Sequence, residues 1–239
     1  MDNTVLGRPL SPKAWPRAVL FDLDGTLIDS ARDLQAALNR TLSDDGLAPH
    51  GLDAVKAMVG DGVAKLTERG FAAAGRPLDA AGIAAAAARL MAHYQAHLVD
   101  HTELLPGAAA VIKACAARGQ ALGLITNKPR AAASDILAHF GLLDHFGVVV
   151  GGDAPVPRKP APDMLWLGLQ TLGWQAADAV MVGDSAPDIN AARAAGVYSV
   201  ALTGGYGAVA TADLGADLVI EHLDDLLPAL DALARPNDV

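Results

Sequence analysis

This chain of 239 residues is poor in several kinds of side chain: one cysteine, 4% aromatic residues, and 18 basic against 27 acidic residues. A single cysteine excludes a disulfide framework within the chain, and we expect Cys115 to fill the core from an amphipathic helix. The formal net charge of -9 disfavours nucleic acid and anionic lipid as partners, because an acidic surface repels both.

Long apolar runs are also missing. None approaches the roughly 18 residues that a membrane span needs, and the first 16 residues have no apolar centre of the kind that a signal peptide carries. We therefore expect a loose lead-in over residues 1–16, a cytoplasmic location and no membrane partner. The sequence leaves monomer and homodimer open as assembly states.

Short apolar segments, in contrast, are plentiful, since 52% of the residues are hydrophobic. Segments rich in Val, Ile and Leu alternate with helical patterns, which predicts strands covered on both faces. The predicted strands are Ala18–Asp24, Ala121–Asn127, Val148–Gly152, Ala179–Asp184, Tyr198–Leu202 and Asp217–Ile220. This alternation predicts an α/β fold, a Rossmann-like parallel sheet between two helix layers.

One interval interrupts the alternation. Between Ser30 and Leu104 we find no convincing strand and predict helices at Ala31–Asp44, Leu52–Ala74 and Asp79–Leu98. An insertion of about 70 residues is large enough to be a small domain. We therefore predict a catalytic core of residues 17–30 and 104–239 and a helical cap of residues 31–103.

Polar residues follow the predicted strands. Because ligands of open α/β sheets bind at the carboxyl ends of the strands, we expect these residues to meet at one edge. They are Asp22, Asp24, Thr126, Asn127, Lys159, Asp184 and Asp188.

The acids in this set call for a cation. Two carboxylates about 4 Å apart repel by roughly 4 kcal/mol at an effective dielectric constant of 20, and Asp22, Asp24 and Asp184 crowd together. Oxygen ligands without His or Cys favour Mg²⁺, which binds one or two carboxylates together with substrate phosphate and water. Beside such a metal, one carboxylate can attack phosphorus and another can act as general acid and base.

Four stretches stand in order at these strand ends: "DLDGT" at 22–26, "ITN" at 125–127, "RKPAPD" at 158–163 and "GDSAPD" at 183–188. Together they resemble the motifs of the haloacid dehalogenase-like superfamily of phosphatases. The resemblance implies that Asp22 is the nucleophile and a metal ligand. It implies that Asp24 is the acid/base, with its backbone carbonyl on Mg²⁺. Asp184 would be the third ligand, and Asp188 would bind the metal or orient its waters. The implied phosphate-binding residues are Thr126, Asn127 and Lys159.

The resemblance also bears on the substrate. The position of the cap is similar to that in the subgroup that hydrolyses small phosphate esters. This resemblance implies that the substrate is a small phosphorylated acid, with 2-phosphoglycolate as the first candidate. A phosphosugar mutase and a phosphatase of another small ester, such as a sugar phosphate or pyrophosphate, stay open. A haloacid dehalogenase and a non-catalytic binding protein are disfavoured, because the first needs neither Asp24 nor a metal and the second would be free to lose Asp22 or Lys159.

Three further features are weaker candidates. His93 and His97 stand four residues apart on a predicted helix, yet no acid at matching spacing completes a metal site with them. The "GDG" stretch at 60–62 could contact substrate or could be an ordinary helix-breaking turn. Lys65, five residues after Gly60, is a still weaker substrate contact.

Overall fold

A six-stranded sheet forms the centre of the protein in its computed structural model, which describes residues 4–5, 8–9, 15–206 and 209–234. The strands are β1 (Ala18–Phe21), β2 (Ala121–Ile125), β3 (Val148–Val150), β4 (Ala179–Gly183), β5 (Tyr198–Leu202) and β6 (Leu218–Ile220). Their spatial order is β6-β5-β4-β1-β2-β3, and every neighbouring pair is parallel. The parallel α/β sheet predicted from the apolar segments is confirmed. Most of the predicted lead-in, residues 1–16, lies outside the described residues.

Nine α-helices accompany the sheet in the described part of the chain. They are α1 (Ala31–Asp44), α2 (Leu52–Lys56), α3 (Val63–Ala73), α4 (Ala80–Gln95), α5 (Ala108–Ala117), α6 (Arg130–His139), α7 (Asp163–Leu172), α8 (Ala186–Ala195) and α9 (Leu226–Ala234). Short 3-10 turns occur at Leu143–His145, Ala176–Asp178, Thr211–Leu214 and Leu223–Asp225. None of the helices in the described ranges is long and apolar enough to cross a membrane.

The two faces of the sheet carry separate apolar cores, and β1 contributes to both. Its side chains alternate: Val19 and Phe21 pack with residues of α5, α6 and α9, whereas Ala18 and Leu20 pack with residues of α7 and α8. This alternation follows from the two-residue period of a strand. Cys115 lies fully buried in the first core, where the sequence predicted it.

Helices α1 to α4, between Ala31 and Gln95, form a helical insertion with an apolar core of its own. Leu38, Phe71 and Leu90 are fully buried there. The single helix expected over Leu52–Ala74 is wrong, because the chain breaks between α2 and α3. Gly60 and Gly62 have φ of 121° and 86°, a backbone region that other residues rarely adopt, so the helix cannot continue through them.

Both connections of the insertion meet at a feature that the sequence analysis missed. Ile28–Asp29 and Glu103–Leu104 pair as a two-stranded antiparallel ribbon. Strands of two residues are too short to show an alternating pattern, which is why they escaped notice. Nearby, Asp33 at the start of α1 accepts hydrogen bonds from the backbone N–H of His101 and from the hydroxyl of Thr102. The entry and exit of the insertion are therefore held together.

The apolar core of the insertion gives a test of its packing. Leu90→Ala should lower the free energy of unfolding by about 2–5 kcal/mol, since it leaves a cavity at a fully buried side chain. Val209→Ala, at a side chain that is 46% exposed, is the matched control and should change it by less than about 0.5 kcal/mol. Urea denaturation measures both. An equal effect of the two substitutions would contradict the described core.

Candidate active site

Three buried aspartates meet at the carboxyl edge of the sheet. Asp22 directly follows β1, Asp184 directly follows β4, and Asp188 lies in the first turn of α8. Because β1 and β4 are neighbours, their ends bring these acids together, with one oxygen of each within 4.8 Å of the others. The structure therefore joins three of the four acids that the sequence placed at this edge.

Lys159 stands among these acids. Its Nζ donates hydrogen bonds to Oδ1 of Asp188 at 2.6 Å and to the carbonyl of Ile125 at 2.7 Å. It also lies 2.8 Å from Oδ1 of Asp22, an ion-pair distance without hydrogen-bond alignment. Asp188 is fixed further by the N–H and hydroxyl of Ser185, at 3.1 and 2.6 Å. Lys159 thus connects the end of β2, Asp22 and the start of α8.

Asp184 is held by two groups for which the sequence analysis proposed no role. The hydroxyl of Thr26 donates to Oδ1 at 2.9 Å, and the backbone N–H of Tyr206 donates to Oδ2 at 2.8 Å. Gly25 and Gly205 leave room for this carboxylate, because a Cβ on either would lie 2.5 or 2.1 Å from Oδ2. Thr26 belongs to "DLDGT" and could have been found there, whereas Gly205 and Tyr206 follow β5 and stand next to no motif acid in the sequence.

The site carries more negative than positive charge. Three carboxylates face one ammonium group. Burial, then the charge of Asp188, raises the pKa of Asp22, although Lys159 opposes the effect. Burial, then the charges of Asp188 and Asp22, raises the pKa of Asp184.

The donor atoms fit a hard divalent cation. They are carboxylate oxygens without sulfur or imidazole, and one oxygen of each of the three acids lies within 4.8 Å of the others. A divalent ion at this cluster would offset the mutual repulsion that, after burial, raises the pKa values of Asp22 and Asp184. The described residues therefore have the chemistry of a metal site.

Asp24 pairs with a different lysine from the one that lies beside Asp22. Its oxygens accept hydrogen bonds from Nζ of Lys128 at 2.9 and 3.1 Å, and Oδ1 also accepts one from the hydroxyl of Ser30 at 2.5 Å. The Lys128 side chain is 4% exposed, so this is a buried ion pair. No sequence motif marked Lys128, although it directly follows Asn127 after β2. Asp24 lies outside the cluster that Asp22, Asp184 and Asp188 form.

Thr126 and Asn127 follow β2 at the same edge. The Thr126 hydroxyl is buried and accepts a hydrogen bond from the N–H of Lys128 at 3.2 Å. The Asn127 amide donates to the carbonyls of Gly60 and Lys159, each at 3.0 Å. Asn127 therefore joins the helical insertion to the lysine loop, and its donor is already committed to these two carbonyls.

A pocket lies between the sheet edge and the helical insertion. From the sheet side it is lined by Asp22, Asp24, Thr126, Asn127, Lys128 and Pro129; from the insertion it is lined by Leu34, Val59, Gly60, Gly62, Val63, Leu66, Met91 and Tyr94. The "GDG" loop thus borders the pocket through its two glycines. The insertion side is otherwise mostly apolar.

The weaker candidates lie elsewhere. His93 pairs with Asp44, and His97 pairs with Asp100, as partly exposed contacts. In the described ranges, the cluster suited to a metal is the aspartate cluster, and neither histidine belongs to it. Lys65 pairs with Glu68 on the surface and does not line the pocket.

Comparison with known proteins identifies the class that this fold and site define. Residues 19–202 match the model of the family described as haloacid dehalogenase-like hydrolase. The chain belongs to this family.

Individual relatives narrow the class. The chain is 46% identical to phosphoglycolate phosphatase of Rhodospirillum rubrum over 215 residues, which covers 88% of this chain and 89% of the relative. It is 42% identical to phosphoglycolate phosphatase of Yersinia pseudotuberculosis, covering 90% and 93% of the two chains. A crystal structure of a predicted phosphoglycolate phosphatase from Haemophilus somnus superposes with a TM-score of 0.83 at 29% identity, covering 89% and 97%. The protein is a phosphoric monoester hydrolase similar to phosphoglycolate phosphatase.

The crowding around Asp184 can be tested at Gly205. Gly205→Ala should lower the free energy of unfolding by about 1–3 kcal/mol, because its Cβ would collide with the buried carboxylate. The displaced Asp184 should also weaken divalent-metal binding. Gly51→Ala is the control, since nothing lies within 4 Å of the added Cβ, and its effect should stay under about 1 kcal/mol. Chemical denaturation and metal titration calorimetry measure the two effects; unchanged metal affinity in Gly205→Ala would refute the proposed packing constraint.

Proposed function

We propose that the enzyme hydrolyses 2-phosphoglycolate, with Mg²⁺ as cofactor, through an aspartyl-phosphate formed on Asp22. The observation that carries this proposal is the buried cluster of Asp22, Asp184 and Asp188 around Lys159 at the carboxyl edge of the sheet. An excess of buried carboxylates is costly unless a cation and a specific reaction require it.

Asp22 is the nucleophile in this proposal. An oxygen of Asp22 attacks phosphorus, the bond from phosphorus to the ester oxygen breaks, and the electron pair stays on that oxygen. Asp24, in its protonated form, gives it a proton, which releases glycolate. The Asp24 carboxylate then takes a proton from water as the water oxygen attacks phosphorus, and the bond to Asp22 breaks to release phosphate. Lys128 and Ser30 hold Asp24 in place through their hydrogen bonds.

Mg²⁺ would be held by Asp22, by Asp184 and by the backbone carbonyl of Asp24, with Asp188 as a further ligand or a group that orients water. When bound, the ion supplies positive charge that draws the phosphate towards Asp22 and lowers its repulsion by the carboxylates. Thr26 and the N–H of Tyr206 orient Asp184 through their hydrogen bonds. The residues that would bind the metal are thus fixed by the fold.

Lys159 and Thr126 are the proposed phosphate-binding groups. The Lys159 side chain is 1% exposed, and its Nζ lies between two carboxylates. It would therefore offer a substrate phosphate a positive charge in a fixed position. Thr126 would donate its hydroxyl. Asn127 would act mainly by holding the Lys159 loop against the insertion, because its amide donates to the carbonyl of Lys159.

The helical insertion, residues 31–103, is proposed to act as a cap over a core of residues 17–30 and 104–239. It forms one wall of the pocket and contacts Asn127 through Gly60. Closing this wall over the substrate would exclude water during phosphoryl transfer, and opening it would release the products.

The substrate proposal has two supports. Relatives that are 46% and 42% identical are phosphoglycolate phosphatases. The mostly apolar insertion side of the pocket offers few partners for the several hydroxyl groups of a sugar phosphate. A cytoplasmic location, and a monomeric or homodimeric state, stay predictions of the sequence.

A substrate panel tests the reaction. Purified enzyme should release phosphate from 2-phosphoglycolate with Mg²⁺ and should lose this activity in EDTA, because the acidic cluster then stays uncompensated. The panel includes sugar phosphates, pyrophosphate and nucleotides at equal concentration. Faster metal-dependent release from another ester would refute the substrate, and release in EDTA would refute the cofactor. No release from any ester would refute the phosphatase, and formation of an isomerised sugar phosphate would then favour a mutase.

The nucleophile has its own test. Asp22→Asn should lower kcat by more than about 1,000-fold, because an amide does not attack phosphorus. The metal-free protein should stay folded, since the substitution removes one charge from a group of mutually repelling acids. Asp53→Asn, on the exposed side of α2, is the control and should keep normal turnover. Mass spectrometry after a brief reaction should find a phosphorylated aspartate at position 22; phosphorylation elsewhere would reject the assignment.

A further inference from the structure

One buried hydroxyl group in the pocket, that of Tyr94, lies beside a lysine and finds no acceptor for its proton among the described residues. Tyr94, near the end of α4, is 1% exposed and lines the pocket. Its polar neighbour is the Lys128 ammonium, which can only donate, and no described residue accepts a hydrogen bond from the Tyr94 O–H. Buried polar groups are nearly always paired in folded proteins. The unused O–H donor therefore indicates that a ligand atom accepts from it.

Lys128 lies beside this hydroxyl group from the opposite wall of the pocket. Its Nζ is 4.6 Å from the centre of the Tyr94 ring, and its hydrogen bonds to described residues go to the two oxygens of Asp24. An ammonium group has three donors, and its contacts beyond Asp24 are with the ring and hydroxyl of Tyr94, which also lines the pocket. The insertion and the core thus each contribute one hydrogen-bond donor to the same place.

The chemistry of these two groups selects a ligand class. Burial raises the pKa of the Tyr94 phenol, which keeps it a neutral donor. The Lys128 ammonium, which is paired with Asp24, supplies a positive charge in the same part of the pocket. The surrounding wall is apolar: Leu34, Val59, Val63, Leu66 and Met91. A cation and a neutral donor in apolar surroundings fit one compact anionic group.

We propose that Tyr94 and Lys128 form the subsite that binds the carboxylate of the substrate, and thereby set the specificity for a short phosphorylated acid. This inference rests on the proposed function. In 2-phosphoglycolate the carboxylate carbon is two bonds from the ester oxygen that Asp24 protonates. A group in contact with Asp24, as Lys128 is, lies within reach of that carboxylate.

Ethyl phosphate gives the comparison that isolates the carboxylate, because it has the same ester linkage and no acid. The measured quantity is the ratio of kcat/KM for 2-phosphoglycolate to kcat/KM for ethyl phosphate. Tyr94→Phe removes the hydroxyl alone and should lower this ratio about 10-fold, with ethyl phosphate hydrolysis nearly unchanged. Lys128→Met should lower the ratio at least about 30-fold, in addition to a loss on both esters from a less well-placed Asp24.

Lys65→Met is the matched control, since it removes an exposed lysine of the insertion that does not line the pocket, and its ratio should equal that of the unaltered enzyme. Circular dichroism and thermal unfolding check that each variant folds; Tyr94→Phe keeps the test valid if Lys128→Met does not. An equal loss on both esters would show that Lys128 and Tyr94 only position Asp24, and would overturn the inference. Hydrolysis of both esters at similar rates by the unaltered enzyme would overturn it and leave the phosphatase standing. Hydrolysis of neither would overturn both proposals.

Discussion

The arrangement of the whole site depends on one electrostatic constraint, the burial of three carboxylates around a single ammonium group. Asp22, Asp184 and Asp188 repel one another, and Lys159 compensates only part of their charge. Such a group of charges is stable only if neighbouring atoms fix each carboxylate or a further cation joins them. The glycines, hydroxyl groups and backbone N–H groups that surround the acids serve the first purpose, and a divalent metal would serve the second.

The fold meets this constraint because of where parallel strands end. Neighbouring strands β1 and β4 deliver Asp22 and Asp184 to the same edge, and α8 begins there with Asp188. The helical insertion leaves the sheet a few residues after Asp22 and returns beside the same edge through the ribbon of Ile28–Asp29 and Glu103–Leu104. The residues of the acidic cluster and the insertion that lines the pocket are therefore connected by short stretches of chain.

Prediction from the sequence worked best where one physical signal was strong. Continuous apolar segments such as Val19–Phe21 indicated strands buried on both faces, and the structure has all six of them in one parallel sheet. Prediction was wrong where local signals conflicted. Helix formers over 52–74 suggested one helix, but Gly60 and Gly62 adopt positive φ and divide it. The two-residue ribbon gave no periodic signal at all.

The sequence by itself pointed to Asp22 and Asp184, because acids placed after buried strands are costly to bury without a function. It pointed to Lys159 through the motif "RKPAPD", which stands beyond the third strand. Only the tertiary structure decided that Lys128 and Tyr94 meet, since one follows β2 and the other lies on α4 of the insertion. Nothing in the local sequence of either residue shows the other. Their meeting depends on how α4 packs over the sheet edge, which is a property of long-range packing and not of spacing along the chain.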